Sequence, residues 1–106
     1  MPLLVVLSAF PDAAAARAAA EALVQEHLAA CVNVLPRVES IYRWEGNMAF
    51  SREVLAVIKT TAERYPKLEK RLRELHPYTV PEIVALPAAA VAESYLAWVT
   101  ANTRAT

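Results

Sequence analysis

Two groups of side chains in this sequence have the types and the setting for chemistry. The first holds its only cysteine, Cys31, and its only histidines, His27 and His76. Thiolate favours Cu(I), and imidazole with thiolate suits Zn(II) or Cu(II), so Cys31 and His76 are the candidate metal ligands, with His27 a third donor in the same scheme. No C-x-x-C or H-x-x-x-H spacing joins them, and each has a plainer alternative. A free cysteine packs as a small apolar residue. His76, directly before Pro77, suits the last turn of a helix, where an imidazolium meets the negative end of the dipole. His27 suits a partly buried position on the apolar side of a helix. The second group is Tyr42, Trp44, Glu45, Glu53, Lys59, Tyr78 and Glu82, aromatic and charged residues on two strands and an H-P-Y loop. In a ring of subunits they can converge in clefts, where small-molecule sites form. Alternatively Trp and Tyr anchor an interface and Lys59 pairs with a glutamate. Glu45 and Glu53 make a conceivable carboxylate pair, but no positioned nucleophile or base accompanies them, so no enzyme is expected.

The totals narrow the field. A chain of 106 residues is one domain, and a 57% hydrophobic composition supports a single core without staples. Eleven basic residues balance eleven acidic ones, and the pI is near 6.7. Such a chain offers no general field for nucleic acid or anionic lipid. One cysteine excludes an internal disulfide and a closed Cys-rich zinc site. Asp12 and Arg17 follow the apolar opening too soon for a membrane span of roughly 20 residues. A soluble cytoplasmic protein is expected. Gly46 is the only glycine, so neither G-x-G-x-x-G nor a P-loop can be written, and no nucleotide cofactor is implied by motif. H-E-x-x-H and G-x-S-x-G are absent too.

The elements that must position these residues follow from periodicity. LLVVLS (3–8) is a buried strand, and an alanine-rich helix runs from Ala13 to about Ala29 with Ala16, Ala19, Ala20 and Leu23 inward. CVNVLPRVESIYRW (31–44) and NMAFSREVLAVIKT (47–60) are strands joined by Glu45-Gly46. That two-residue turn sets Glu39 opposite Arg52, and Pro36 predicts a bulge or an edge position. Thr60-Thr61-Ala62-Glu63 reads as a capping box for a helix carrying Leu68, Leu72 and Leu75, with Pro66 awkward in its first turns and Pro77 ending it. EIVALP (82–87) is the last core strand, and SYLAWV (94–99) a short helix or turn anchored by Tyr95 and Trp98. The order β-α-β-β-α-β with a short C-terminal helix is the α+β ferredoxin-like pattern.

The hairpin is too long for this body. Fourteen residues, 31–44, can span ~45 Å, against ~20 Å for the first strand. The overhang carries Ile41, Tyr42, Trp44, Met48 and Phe50, an apolar set unusual on a monomer. A symmetric homo-oligomer would bury both it and the uncovered sheet face.

Several segments together resemble one known family. LAACVNVLP (28–36), SIYRWEG (40–46), Glu53 with IKT (58–60), HPYTVPEIVALP (76–87) and YLAWV (95–99) are similar to the CutA divalent-cation tolerance proteins, over nearly the whole chain from Leu3 to Val99. The resemblance implies a homotrimer arranged like the PII signalling proteins, with long hairpins joining subunits. It also implies a bacterial cytoplasmic protein linked to tolerance of copper, Cu(I) or Cu(II), or another divalent metal. Some family members have further cysteines; with Cys31 alone, a multi-thiolate copper site within one subunit is not available. AAAVAES (88–94) lacks the glycine that relatives often have there. Three functions follow as expectations: a non-enzymatic metal-binding trimer; a PII-like sensor binding a small anionic ligand through Lys59 and nearby arginines; or a structural trimer without ligand.

Overall fold

An apolar run interrupted only by Ser8 makes Leu3–Phe10 the strand β1, flanked by β3 (Asn47–Thr61) and β4 (Val84–Pro87), with β2 (Cys31–Trp44) at the far edge. The order is β2-β3-β1-β4 and every pairing is antiparallel. This computed structural model describes residues 2–104. Helices α1 (Ala13–Gln25), α2 (Tyr65–Leu75) and α3 (Glu93–Asn102) complete the ferredoxin-like arrangement that the sequence predicts.

The two sheet faces are treated differently. Val6, Phe10 and Ile58 point toward α1 and α2 and meet Ala16, Ala19, Leu23, Leu68 and Leu72 in one buried core. On the opposite face α3 covers only one end, where Val99 and Leu96 pack with Leu3, Val5 and Ala30. Tyr95 and Trp98, expected as its anchors, are instead partly exposed and stack on each other at 5.7 Å. Leu35, Val84 and Leu86 on the rest of that face are exposed. β4 is shorter than predicted and half-covered, an edge strand rather than a core one.

Local chemistry sets the boundaries. The Asp12 carboxylate caps α1 by accepting from the Ala15 N–H at 2.8 Å. The helix ends at Gln25, four residues earlier than predicted, because the chain turns left-handed at His27 (φ 59°). The Leu28 N–H then reaches the Leu23 carbonyl at 2.9 Å and the His27 N–H that of Val24 at 3.1 Å, a Schellman closure with histidine where glycine is usual. His27 is therefore exposed and outside the helix, not on its apolar side. The predicted capping box is replaced by a later start. β3 continues through Thr61, whose hydroxyl accepts from the Arg64 N–H at 3.3 Å, while the Thr60 hydroxyl donates to the Leu28 carbonyl at 2.7 Å. Pro66 thereby falls in the first turn of α2, where its missing N–H costs no helical bond.

The hairpin follows the predicted register. Glu45 (φ 49°) and Gly46 (φ 82°) are both left-handed, the type I′ condition, and Glu39 lies opposite Arg52. They form no salt bridge among the described residues. The expected bulge falls at Pro36–Arg37: Leu35 pairs with Leu55 but Val38 with Glu53. β1 pairs with β3 only from Val54 to Thr61, so Asn47–Glu53 and the facing part of β2 run beyond the body. The extents of 44 × 26 × 22 Å and a radius of gyration of 14.2 Å record that extension, since about 13 Å is usual at this length.

Candidate functional site

The candidate site lies where the hairpin leaves the body. Val54 is the last residue of β3 opposite β1, so Glu53 is the first to project beyond Phe10 on the face that α1 and α2 do not cover. Across the ladder, past the bulge, Val38, Ser40, Tyr42 and Trp44 share that face. Residues from Pro77 to Glu82 form the opposite wall. Between them runs an open groove of about 790 Å³, whose walls include Tyr42, Trp44, Glu53, Tyr78, Val80 and Glu82.

Hydrogen bonds hold the walls. The Tyr78 hydroxyl donates to Oε2 of Glu53 at 2.7 Å, and the Tyr42 and Ser51 hydroxyls bond at 2.7 Å. Burial, then the bond and charge of Glu53, push the Tyr78 phenol well above its usual pKa, so it stays a proton donor. Both aromatic hydroxyls are engaged, and both residues line the groove.

His76 is the post behind this wall. Its ring stacks on Phe10 at a centroid distance of 4.2 Å. Nε2 donates to the Ala9 carbonyl at 2.8 Å, and Nδ1 accepts from the Tyr78 N–H at 3.2 Å. This pattern assigns a neutral imidazole with its proton on Nε2. Burial lowers its pKa, opposed by the Ala9 bond and the Glu53 charge. His76 is thus neither a cationic helix cap nor a free donor, because both nitrogens hold backbone. It ties the loop after α2 to the end of β1.

The other predicted residues lie elsewhere. Cys31 begins β2 opposite Lys59, and Lys59 in turn faces Val5 on β1. Ala9, where His76 is fastened, is four residues further along β1, ~13 Å away. The fold therefore does not bring Cys31 and His76 together within one chain. The Cys31 sulfur lies beside Tyr95, whose pKa is raised by burial first and by that thiol second. Lys59 donates to Oδ1 of Asn33 rather than pairing with a glutamate. It is six residues from Glu53 along β3, ~20 Å, and outside the groove. Glu45 sits in the exposed turn, and His27 is on the surface with Nδ1 3.4 Å from the Asn102 carbonyl. Five of the seven predicted cleft residues converge, namely Tyr42, Trp44, Glu53, Tyr78 and Glu82. Ala9, Ser40, Ile41, Ser51, Pro77, Thr79 and Val80 complete the lining unpredicted; for Ser40 and Val80 the alternation with Tyr42 and the loop's continuity past Tyr78 were the available signals.

The groove's charge has one sign. Glu53 and Glu82 line it and no lysine, arginine or histidine does, which favours a cation over an anion. Among the described residues no group of three His, Cys, Asp or Glu side chains is placed to hold a metal ion. No helix described is long and apolar enough to cross a membrane.

Known proteins share both sequence and shape. The family model described as CutA1 divalent ion tolerance protein matches residues 4–102. The divalent-cation tolerance protein CutA of Thermus thermophilus is 52% identical over 99 residues, 93% of this chain and 96% of that protein. The CutA1 crystal structure from Oryza sativa superposes with a TM-score of 0.95 at 37% identity, covering 100% of this chain and 97% of the other. A structure from Archaeoglobus fulgidus, titled a periplasmic divalent cation tolerance protein CutA, gives a TM-score of 0.93 at 27% identity, covering 96% and 99%. With the family model spanning nearly its whole length and this fold beneath it, the chain belongs to the CutA1 family of divalent-cation tolerance proteins.

Proposed function

We propose that the protein serves divalent-cation tolerance as a non-catalytic homotrimer, capturing copper or another divalent metal in the groove at the hairpin root. The carrying observation is the lining of that groove, with two carboxylates, three aromatic rings and no basic side chain. Ile41, Met48 and Phe50, on the hairpin face opposite Glu53, and Leu35, Val84 and Leu86 on the uncovered part of the sheet supply the surfaces for assembly. With no three-donor group among the described residues, the other ligands of a captured ion come from a neighbouring subunit, from solvent or from molecules it already carries.

The test is light scattering combined with calorimetric titration of copper(II). The expected result is a mass near three times the 11.6 kDa of one chain, with saturable binding weakened by Glu53→Gln. Binding abolished by Cys31→Ser but indifferent to Glu53→Gln would move the metal to Cys31. A single-chain mass would overturn the trimer, and thermal silence on titration would leave a structural assembly. The cytoplasm is proposed as its compartment from the lone free cysteine, Cys31; cell fractionation checks that assignment.

A further inference from the structure

The groove is built for more than an ion. Its volume of about 790 Å³ lies in the range that holds organic ligands, whereas a bare divalent ion sits roughly 2 Å from each of its donors and needs only a small cage. Tyr42 and Tyr78 engage their hydroxyls with Ser51 and Glu53, and with Trp44 they give the groove three aromatic side chains in its walls. Ring faces attract a cation that keeps its own substituents. Glu53 and Glu82 bring negative charge without a third metal-binding side chain beside them. Such a site matches a dication in charge and an organic body in shape, but does not strip a metal of its ligands.

We propose that the groove recognises a divalent metal already carrying amine-type organic ligands, held whole by its outer sphere. The N–H groups of the coordinated amines donate to Glu53 and Glu82, because a carboxylate accepts most strongly from a donor polarised by positive charge. Tyr42, Trp44 and Tyr78 cover the apolar flanks of the complex. The metal keeps its own ligands throughout and no bond to it is made or broken. This deepens the proposed function and rests on the groove being the ligand site.

The test uses bis(ethylenediamine)copper(II), a flat dication, and reads quenching of Trp44 in the Trp98→Phe background, which leaves one tryptophan. The complex is expected to quench saturably, at least ~10-fold more tightly than aquo copper(II) in a non-coordinating buffer, which corresponds to about 1.4 kcal/mol. Glu53→Gln, which preserves an acceptor for Tyr78, and Glu82→Gln, at an exposed position, should each weaken it several-fold. The anionic copper–EDTA complex should not compete. Aquo copper(II) binding as tightly as the complex, with the same dependence on Glu53, overturns this inference and leaves the groove as the metal site. A complex whose quenching ignores both glutamates overturns the inference as well. Failure of every copper species to respond to either substitution overturns the groove reading itself.

Discussion

Ile41 and Phe50 face each other directly across the overhanging hairpin, 65% and 68% exposed in the single chain. Replacing both by threonine keeps a β-favouring residue at each position and removes the apolar surface. A phenylalanine carries about 200 Å² of surface, so on the order of 130 Å² of Phe50 is open, and covering it at ~25 cal/mol per Å² is worth ~3 kcal/mol. Ile41 adds ~1.5 kcal/mol on the same scale. The double variant therefore forfeits up to ~4.5 kcal/mol per subunit, on the order of a thousand-fold in association for each contact surface. Both residues lie beyond the stretch of β3 that pairs with β1, so the monomer's core is untouched and its circular dichroism should not change. Sedimentation velocity over a roughly thousand-fold dilution reads the outcome. The wild type should hold its mass across that range while the variant shifts toward one chain. A variant that keeps the wild-type mass at every dilution would refute the argument, because assembly would then rest on the open sheet face alone.

Other consequences are local. His27→Gly should stabilise the fold by ~0.5–1 kcal/mol in denaturant titration, since a left-handed L-residue costs ~1–2 kcal/mol and the extra freedom of unfolded glycine returns ~0.5–1 kcal/mol of that gain; His27→Ala, which keeps the Cβ, should not. Because burial lowers the folded pKa of His76 below the ordinary 6.5, the unfolded chain binds the extra proton first. Its contribution is therefore present above about pH 6.5 and lost as pH falls toward the lowered value. His76→Gln should flatten that limb of the stability profile before the carboxylates titrate, and an unchanged slope would contradict the assigned neutral ring. Ser8 lies in the core with its hydroxyl unpartnered, so Ser8→Ala should raise stability by ~1 kcal/mol, read from the urea midpoint; a loss would show that the hydroxyl is bonded in solution.

How much of this was legible in the sequence varies with the range of the cause. Short-range causes were readable: Glu45-Gly46 set the hairpin register, Pro36 marked the bulge, and Leu68 and Leu72 marked the buried stripe of α2. Causes that depend on a distant partner were not. Nothing near His27 announces a helix end, because the closure depends on Leu28 sinking into the core beside Leu23. His76 resembles a helix cap or a ligand until β1 supplies the Ala9 carbonyl and the Phe10 ring. Lys59 shares a strand face with Glu53 at an even spacing, but face alone does not measure the ~20 Å between them.

The bulge shows how the site is assembled from two competing registers. Counted from the core, Cys31, Asn33 and Leu35 lie on the open face opposite Lys59, Val57 and Leu55, and strict alternation would next place Arg37, Glu39, Ile41 and Arg43 there. Counted from the turn, Trp44 opposite Asn47 places Tyr42, Ser40 and Val38 on the face of Glu53 instead. The two counts differ by one residue, and Pro36–Arg37 absorbs it, with Arg37 left-handed at φ 62°. Pro36 has no N–H to lose from the ladder, and β2 is an edge strand where an irregularity disrupts only one partner. The extra residue thus lets the core keep its apolar register while the hairpin delivers Tyr42 and Trp44, rather than Ile41 and Arg43, to the same side as Glu53. Aromatic side chains and a carboxylate meet in the groove because the strand carries an irregularity just before it.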